Sequence, residues 1–414
     1  MITVLFLIVT VSMIVFQRYH EGRWLNLISL LMAPYVVIVS LNNFLVYKMG
    51  FYKISDDVII MLMMAFIPFF LGSLPFRYKT KTHPESKNAF LLQQYNVTRI
   101  KWYLYFVGLI GIIKAIILFR QGAFFNDIDD SEGIMGNGIV AHMLLSTYSV
   151  LPIYFLHWTY KKDLKGLIPV ILILIVAFSS LIKYNVIGPI ITLFIFVSIY
   201  RTSLLRKASI GLGIFVALFF VANYAIGFAI AGSDVPPEFY IGHFWKYFSG
   251  SVIYDNYIFT SGIRVDTSLF YKLMTFLFAL PNMFFGKLFD VTYFPHVGQQ
   301  MRDVSDFGEQ SNVVDVVGYI YPSRGEGSDI LLFMIFYFVI GFFFSFLYKK
   351  RLERVRRLDT FITNFLTYFV FLSFFAPFFV LTNPWEIIIW ALIMPYFFYN
   401  HHKTKLNQNA ASRI

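Results

Sequence analysis

The chain has 414 residues, of which 58% are hydrophobic and 14% charged, with a formal net charge of +11 and no cysteine. Soluble domains carry about a quarter charged residues, so a water-soluble globular fold of this length is excluded, and so are disulfides, thiolate metal sites and cysteine nucleophiles. A mean hydropathy of +0.67 fits a chain made mostly of the roughly 17–25-residue apolar runs that cross a bilayer.

In chain order, about eleven such runs are expected: 1–17, 25–47, 57–75, 102–119, 139–158, 166–182, 186–200, 209–231, 330–348, 360–381 and 385–400. The first lacks a basic leader and a small-residue cleavage site, so it reads as a retained span and not a signal peptide. The connections Arg18–Arg23, Arg77–Lys101, Lys161–Lys165, Arg201–Lys207, Lys349–Arg357 and Lys403–Arg413 hold 23 of the 34 basic residues. They are every second connection between these spans. Lys and Arg near span ends favour the cytoplasm, so the N-terminus is expected outside and the C-terminus inside. The positive charge is therefore a signal of topology and of contact with anionic lipid, and no nucleic-acid partner is expected. The reading is an all-α polytopic membrane protein in three parts: residues 1–231 with eight spans, a large extracytoplasmic loop at 232–329, and residues 330–414 with three spans and a cytoplasmic tail.

Two outer segments stand out. Asn126-Asp-Ile-Asp-Asp-Ser-Glu132 begins like a calcium loop, but Glu132 stands where the turn glycine belongs, so it reads as a solvated acidic loop. In the long loop, the residues from Pro236 to Phe248 start a helix after two prolines, and their aromatic content suits the headgroup region. Leu269 to Phe289 is apolar, with Pro281 and Gly286 as interruptions. It reads as a re-entrant or interfacial helix pair, and as a further span only if another is lost. A polar segment punctuated by glycine follows and ends at Gly325-Glu326-Gly327. Loops this long are usually functional when ordered.

Charges within or beside spans are functional candidates. Lys114 and Arg120 lie toward the outer end of the fourth span, and Lys183 follows the sixth; snorkelling to the interface is the competing reading. The loop adds Arg264, Arg302 and Arg324, whose guanidinium forks match phosphate oxygens. Together these six cations are expected to hold a pyrophosphate without a metal, and no cofactor is expected. His243 and His296, the loop's two histidines, are candidate bases, although a lone histidine is more often structural. Asp255, Asp266, Asp303, Asp306, Glu309 and Asp315 compete with them. The ranking is His243, which sits on the interfacial helix, then His296, then Glu309. Trp245 and Tyr247 are candidate platforms for sugar faces.

The chain resembles the Wzy-type oligosaccharide repeat-unit polymerases of bacterial O-antigen and capsule. The likeness lies in the span count, the late outer loop, His243-Phe-Trp-Lys-Tyr-Phe-Ser-Gly250, and Ser311-Asn-Val-Val-Asp-Val-Val-Gly-Tyr-Ile-Tyr321, which precedes a span containing Gly341. It departs from the family at Ser323-Arg-Gly325, where an acidic-aromatic-glycine triplet is often seen, and it carries no Arg-x10-Gly repeat. The resemblance implies a GT-C-like, metal-independent membrane glycosyltransferase of the bacterial plasma membrane. Its substrates would be undecaprenyl-pyrophosphate-linked oligosaccharides, as donor and acceptor, and its partners a chain-length regulator and a flippase. An O-antigen ligase is the near alternative. A lipid-linked oligosaccharide flippase or transporter is the alternative of another class, disfavoured because no internal repeat is visible.

Overall fold

A computed structural model describes residues 1–76, 94–120, 138–179, 183–231, 237–260, 268–296, 300–322, 327–353 and 359–400. Among these residues the chain is almost wholly α-helical, and seven helices are long and apolar enough to cross a membrane. It is an all-α, multi-pass membrane protein. The acidic loop at 126–132 lies outside the described residues. The chain forms two compact units: residues 1–80, 217–352 and 368–385 make the first, and residues 81–216, 353–367 and 386–414 the second.

In the first unit, α1 (Ile2–Glu21), α2 (Leu27–Phe44) and α3 (Asp56–Ser73) pack on one another. Their ends are written in the sequence. Gly22 closes α1 in the left-handed region at φ 70°, which glycine adopts without strain. Asn26 and Ser29 form a reciprocal capping box on α2, and Ser55 caps α3, each satisfying otherwise orphaned N–H groups. Phe66 of α3 lies 5.0 Å from the buried Tyr35 ring and 6.2 Å from Phe6.

The long loop contributes four helices to this unit: α9 (Pro237–Tyr254), α10 (Asn256–Thr260), α11 (Leu269–Phe289) and α12 (Val316–Ile320). Between α11 and α12 sits a two-stranded antiparallel hairpin, β1 (Arg302–Asp303) and β2 (Gln310–Ser311). α13 (Gly327–Glu353) then crosses α3 at backbone contact. A Cβ on Gly72 would stand 3.0 Å from the carbonyl carbon of Phe338, and one on Gly341 would stand 2.8 Å from that of Phe69. Small residues permit such crossings in membranes.

The second unit contains α4 (Val97–Arg120), α5 (Ile139–Lys161), α6 (Leu164–Ser179), α7 (Lys183–Tyr200) and the start of α8 (Leu205–Ala231). α4 packs on α6 through Gly108 and Gly111, which face Leu172 and Val176. The turn from α5 to α6 is fixed by the Tyr154 hydroxyl donating to the Gly166 carbonyl at 2.9 Å and the Trp158 indole to that of Asp163 at 2.7 Å. Polar contacts join buried helices here. Thr192 donates to Thr367 over 3.1 Å, and Tyr200 to Asp359 over 2.5 Å.

Two expected spans change form. Residues 360–381 are not one helix: α14 (Asp359–Phe369) gives way to 3-10 turns at Phe371–Phe374 and Phe378–Val380 before α15 (Thr382–Phe397). Pro377, which donates no backbone hydrogen bond, stands between the turns. Conversely, Leu269–Phe289 is a single helix through Pro281, and its segment Leu269–Gly286 qualifies by length and composition as a span. After it the chain doubles back along the same helix. Asn282 bonds the backbone of Tyr293 twice, at 2.6 and 2.9 Å, and Tyr271 reaches the Pro295 carbonyl at 3.1 Å.

Candidate functional site

α9 begins at the second of two prolines, Pro237, and carries His243 and Lys246 one turn apart, a spacing that puts both side chains on the same face of a helix. Its other face is spent on packing. Trp245 is 8% exposed, and its indole N–H donates to Asn42 over 3.0 Å. The expected sugar-stacking ring is therefore turned into the bundle, where it meets the polar group that a buried tryptophan needs.

The hairpin brings Glu309 to His243 and Lys246. His243 Nδ1 lies 3.1 Å from Glu309 Oε1 and 3.2 Å from Oε2, and Lys246 Nζ lies 2.8 Å from Oε2. The carboxylate and the imidazole are each 12% exposed. Burial pushes the Glu309 carboxyl up, but hydrogen bonds from Lys246 and His243 outweigh it and hold the group below its ordinary value. Glu309 is thus an anion that orients the ring. Phe239 stacks on the imidazole at 4.8 Å, and Tyr247 meets it edge-on at 5.0 Å.

The backbone around Glu309 is held at several points. Its N–H donates to Ser305 Oγ at 2.9 Å, and its carbonyl accepts from Val304 N–H at 2.7 Å. Gly308, at φ 83°, makes the turn between them. The turn rests on the connection between α2 and α3: Asp306 N–H donates to Gly50 O at 2.7 Å and Tyr52 N–H to Val304 O at 3.0 Å. Phe307 fills the space against Gly50 and Gly242. Two residues ranked as rival bases, His243 and Glu309, are therefore partners in one constellation. Lys246, which completes it, is not among the residues that sequence reasoning singles out. The His-x-x-Lys spacing is a visible signal, but nothing local identifies the carboxylate 63 residues beyond Lys246.

The other candidates are dispersed. His296 is exposed beside Tyr319, with ring centroids 5.5 Å apart. Arg302 sits on β1. It donates to Gln300 at 3.0 Å and lies 5.9 Å from the Tyr257 ring, while its buried Nε has no hydrogen-bond partner among the described residues. Lys114 and Arg120 lie on α4, and Lys183 opens α7, in the second unit. Arg264, Asp266 and Arg324 lie outside the described residues. Asp255 and Asp315 are fully buried and cannot meet an outside substrate as bases. A second pair has no counterpart among the sequence candidates: His142 Nδ1 lies 2.6 Å from Glu386, which also accepts from Trp390 at 3.1 Å.

In comparisons with known proteins, no family model, no curated protein and no solved structure matches this chain.

Proposed function

We propose that this protein is a membrane glycosyltransferase that joins undecaprenyl-pyrophosphate-linked oligosaccharide repeat units into an O-antigen or capsular polysaccharide at the outer leaflet of the bacterial plasma membrane. The observation that carries the reading is the His243–Glu309–Lys246 constellation, held on an aromatic-rich helix of the long polar loop. In the reaction, an acceptor sugar hydroxyl attacks the donor's anomeric carbon. The bond from that carbon to the pyrophosphate oxygen breaks, and the lipid pyrophosphate leaves. A carboxylate at Nδ1 fixes the tautomer in which Nε2 accepts a proton. His243 is thereby suited to take the proton from the hydroxyl, with Glu309 stabilising the imidazolium and Lys246 keeping Glu309 ionised.

Loop arginines supply the complementary function, since a departing pyrophosphate needs cations. Arg302 retains an unpartnered N–H, and Arg264 and Arg324 belong to the same loop. The charge pattern supports an orientation with this loop and the N-terminus outside and the C-terminus in the cytoplasm. A chain-length regulator and a flippase of the same pathway are the expected partners.

The test is turnover of lipid-linked repeat units by the purified protein. His243→Ala should slow each folded molecule by on the order of 10²–10⁴-fold and remove one limb of its pH profile. Glu309→Gln should slow it through the histidine, and Arg302→Lys should retain part of what Arg302→Ala loses. Near-normal turnover of folded His243→Ala would remove the histidine from the chemistry.

A further inference from the structure

Six residues beyond Glu309, the same loop segment enters the interior at Asp315. Asp315 caps α12: its Oδ1 accepts from Gly318 N–H at 2.6 Å. Asp255, at the junction of α9 and α10, meets the same glycine from the other side. A Cβ on Gly318 would stand 2.6 Å from the Asp255 carboxyl carbon. Both aspartates are 0% exposed. Both oxygens of Asp255 and Oδ2 of Asp315 have no hydrogen-bond donor among the described residues, and neither do the buried hydroxyls of Tyr35 and Ser373. Tyr35 is directed at Asp315 and Ser373. Beside them lies a cavity of about 40 Å³ lined by Val316, Tyr337, Ser373 and otherwise apolar side chains.

The groups that face the pair are Tyr35 of α2, Tyr337 of α13 and Tyr254 of α9. The buried cation on α11, Lys272, donates to the Tyr321 carbonyl over 2.7 Å. None of these supplies the pair with a positive charge. Two carboxylates buried side by side repel each other and are poorly solvated when both are ionised, and one proton held between them removes that repulsion.

We propose that Asp255 and Asp315 bind one proton in common, and that this carboxyl–carboxylate bond seats the segment 310–322, and with it Glu309, on the helical bundle. Asp315 and Asp255 are thus positioning residues. The geometry has a matching electrostatic signature, since burial and the mutual repulsion of the pair raise Asp255 well above the ordinary range, and burial raises Asp315 to about 6. This shared proton is independent of the chemistry assigned to His243, because it requires no substrate.

Infrared difference spectroscopy of the full chain in detergent or lipid reads the proton directly. At neutral pH, wild type minus Asp255→Asn should show the carbonyl stretch of one protonated, deuterium-sensitive carboxyl group, and wild type minus Asp315→Asn should show the same. Unfolding temperature gives the second readout. With a folded-state value above the unfolded one, stability contributed by the pair is complete below about pH 4 and is lost as pH rises through the folded value. An Asn amide can donate the hydrogen bond without a proton to lose, so both Asn variants should fold and show a flatter pH dependence between about 4 and 7. Absence of the band from both difference spectra would overturn the proposal. So would a sodium-dependent unfolding temperature at fixed pH that Asp255→Asn abolishes, which would assign the pair to a metal ion.

Discussion

At the scale of single residues, the polar loop is organised by charged groups that are half-buried or buried and held by one another. Glu309 is the clearest case, because its carboxylate is stabilised by two donors from one turn of α9. Its depressed titration makes a stability contribution that is present above the unfolded carboxylate value and lost as pH falls through the folded one. Wild-type unfolding temperature should therefore drop as pH falls below about 4, and Glu309→Gln should lower stability near neutrality while flattening that drop. Identical acid profiles for the two proteins would show that the pairing contributes nothing to folding. Gly318 gives a second test. Its missing Cβ leaves room for the Asp255 carboxyl, so Gly318→Ala should cost about 1–3 kcal/mol, the usual penalty for overpacking. Gly213, where an added Cβ would meet nothing within 4 Å, is the control: Gly213→Ala should leave the unfolding temperature nearly unchanged.

At the scale of elements, composition and periodicity reveal most helices but not their breaks. The capping residues Asn26, Ser55 and Ser268 lie immediately before helices whose first turns they satisfy, and such local chemistry is visible in the sequence. The break at Phe371–Phe374 is not, because residues 365–376 hold no glycine, proline or charge and only tertiary packing distinguishes a helix from a tight turn there. The catalytic candidates divide in the same way. His243 is recognisable from its place on an amphipathic helix. Its pairing with Glu309 depends on a hairpin spanning residues 302–311 whose turn is seated on Gly50 and Tyr52, a long-range contact without a periodic signature. The crossing of α3 and α13 depends equally on distance in the chain. Gly72→Val or Gly341→Val would force these backbones apart, and either should cost at least about 1–3 kcal/mol, read as a lower yield of folded protein and a lower unfolding temperature. Unchanged yield in both variants would mean that the crossing does not limit stability.

At the scale of the molecule, the contacts and the basic residues bear on one question: whether α11 crosses the membrane. By length and composition it qualifies. If it crossed, residues on its two sides would face opposite compartments. Yet His243 before it pairs with Glu309 after it, and Asp306 after it bonds Gly50, which lies between α2 and α3. The return of the chain along α11, through Tyr293 and Pro295, agrees with these contacts. Charge gives the same answer. A crossing α11 would move Lys349–Arg357, with six basic residues, to the outer face, against the preference of Lys and Arg for the cytoplasm. We therefore expect α11 to enter from the outer face and leave by it. The absence of native cysteine makes the test direct, with the exposed residues Lys53, Asp306 and Lys165 as reporters. Ser251 is unsuitable because it is buried and bonded to Phe374. In intact cells, an impermeant thiol reagent should label Asp306→Cys and Lys53→Cys alike and spare Lys165→Cys until the membrane is opened. Protection of Asp306→Cys with labelling of Lys53→Cys would mean that α11 crosses, and would separate Glu309 from His243.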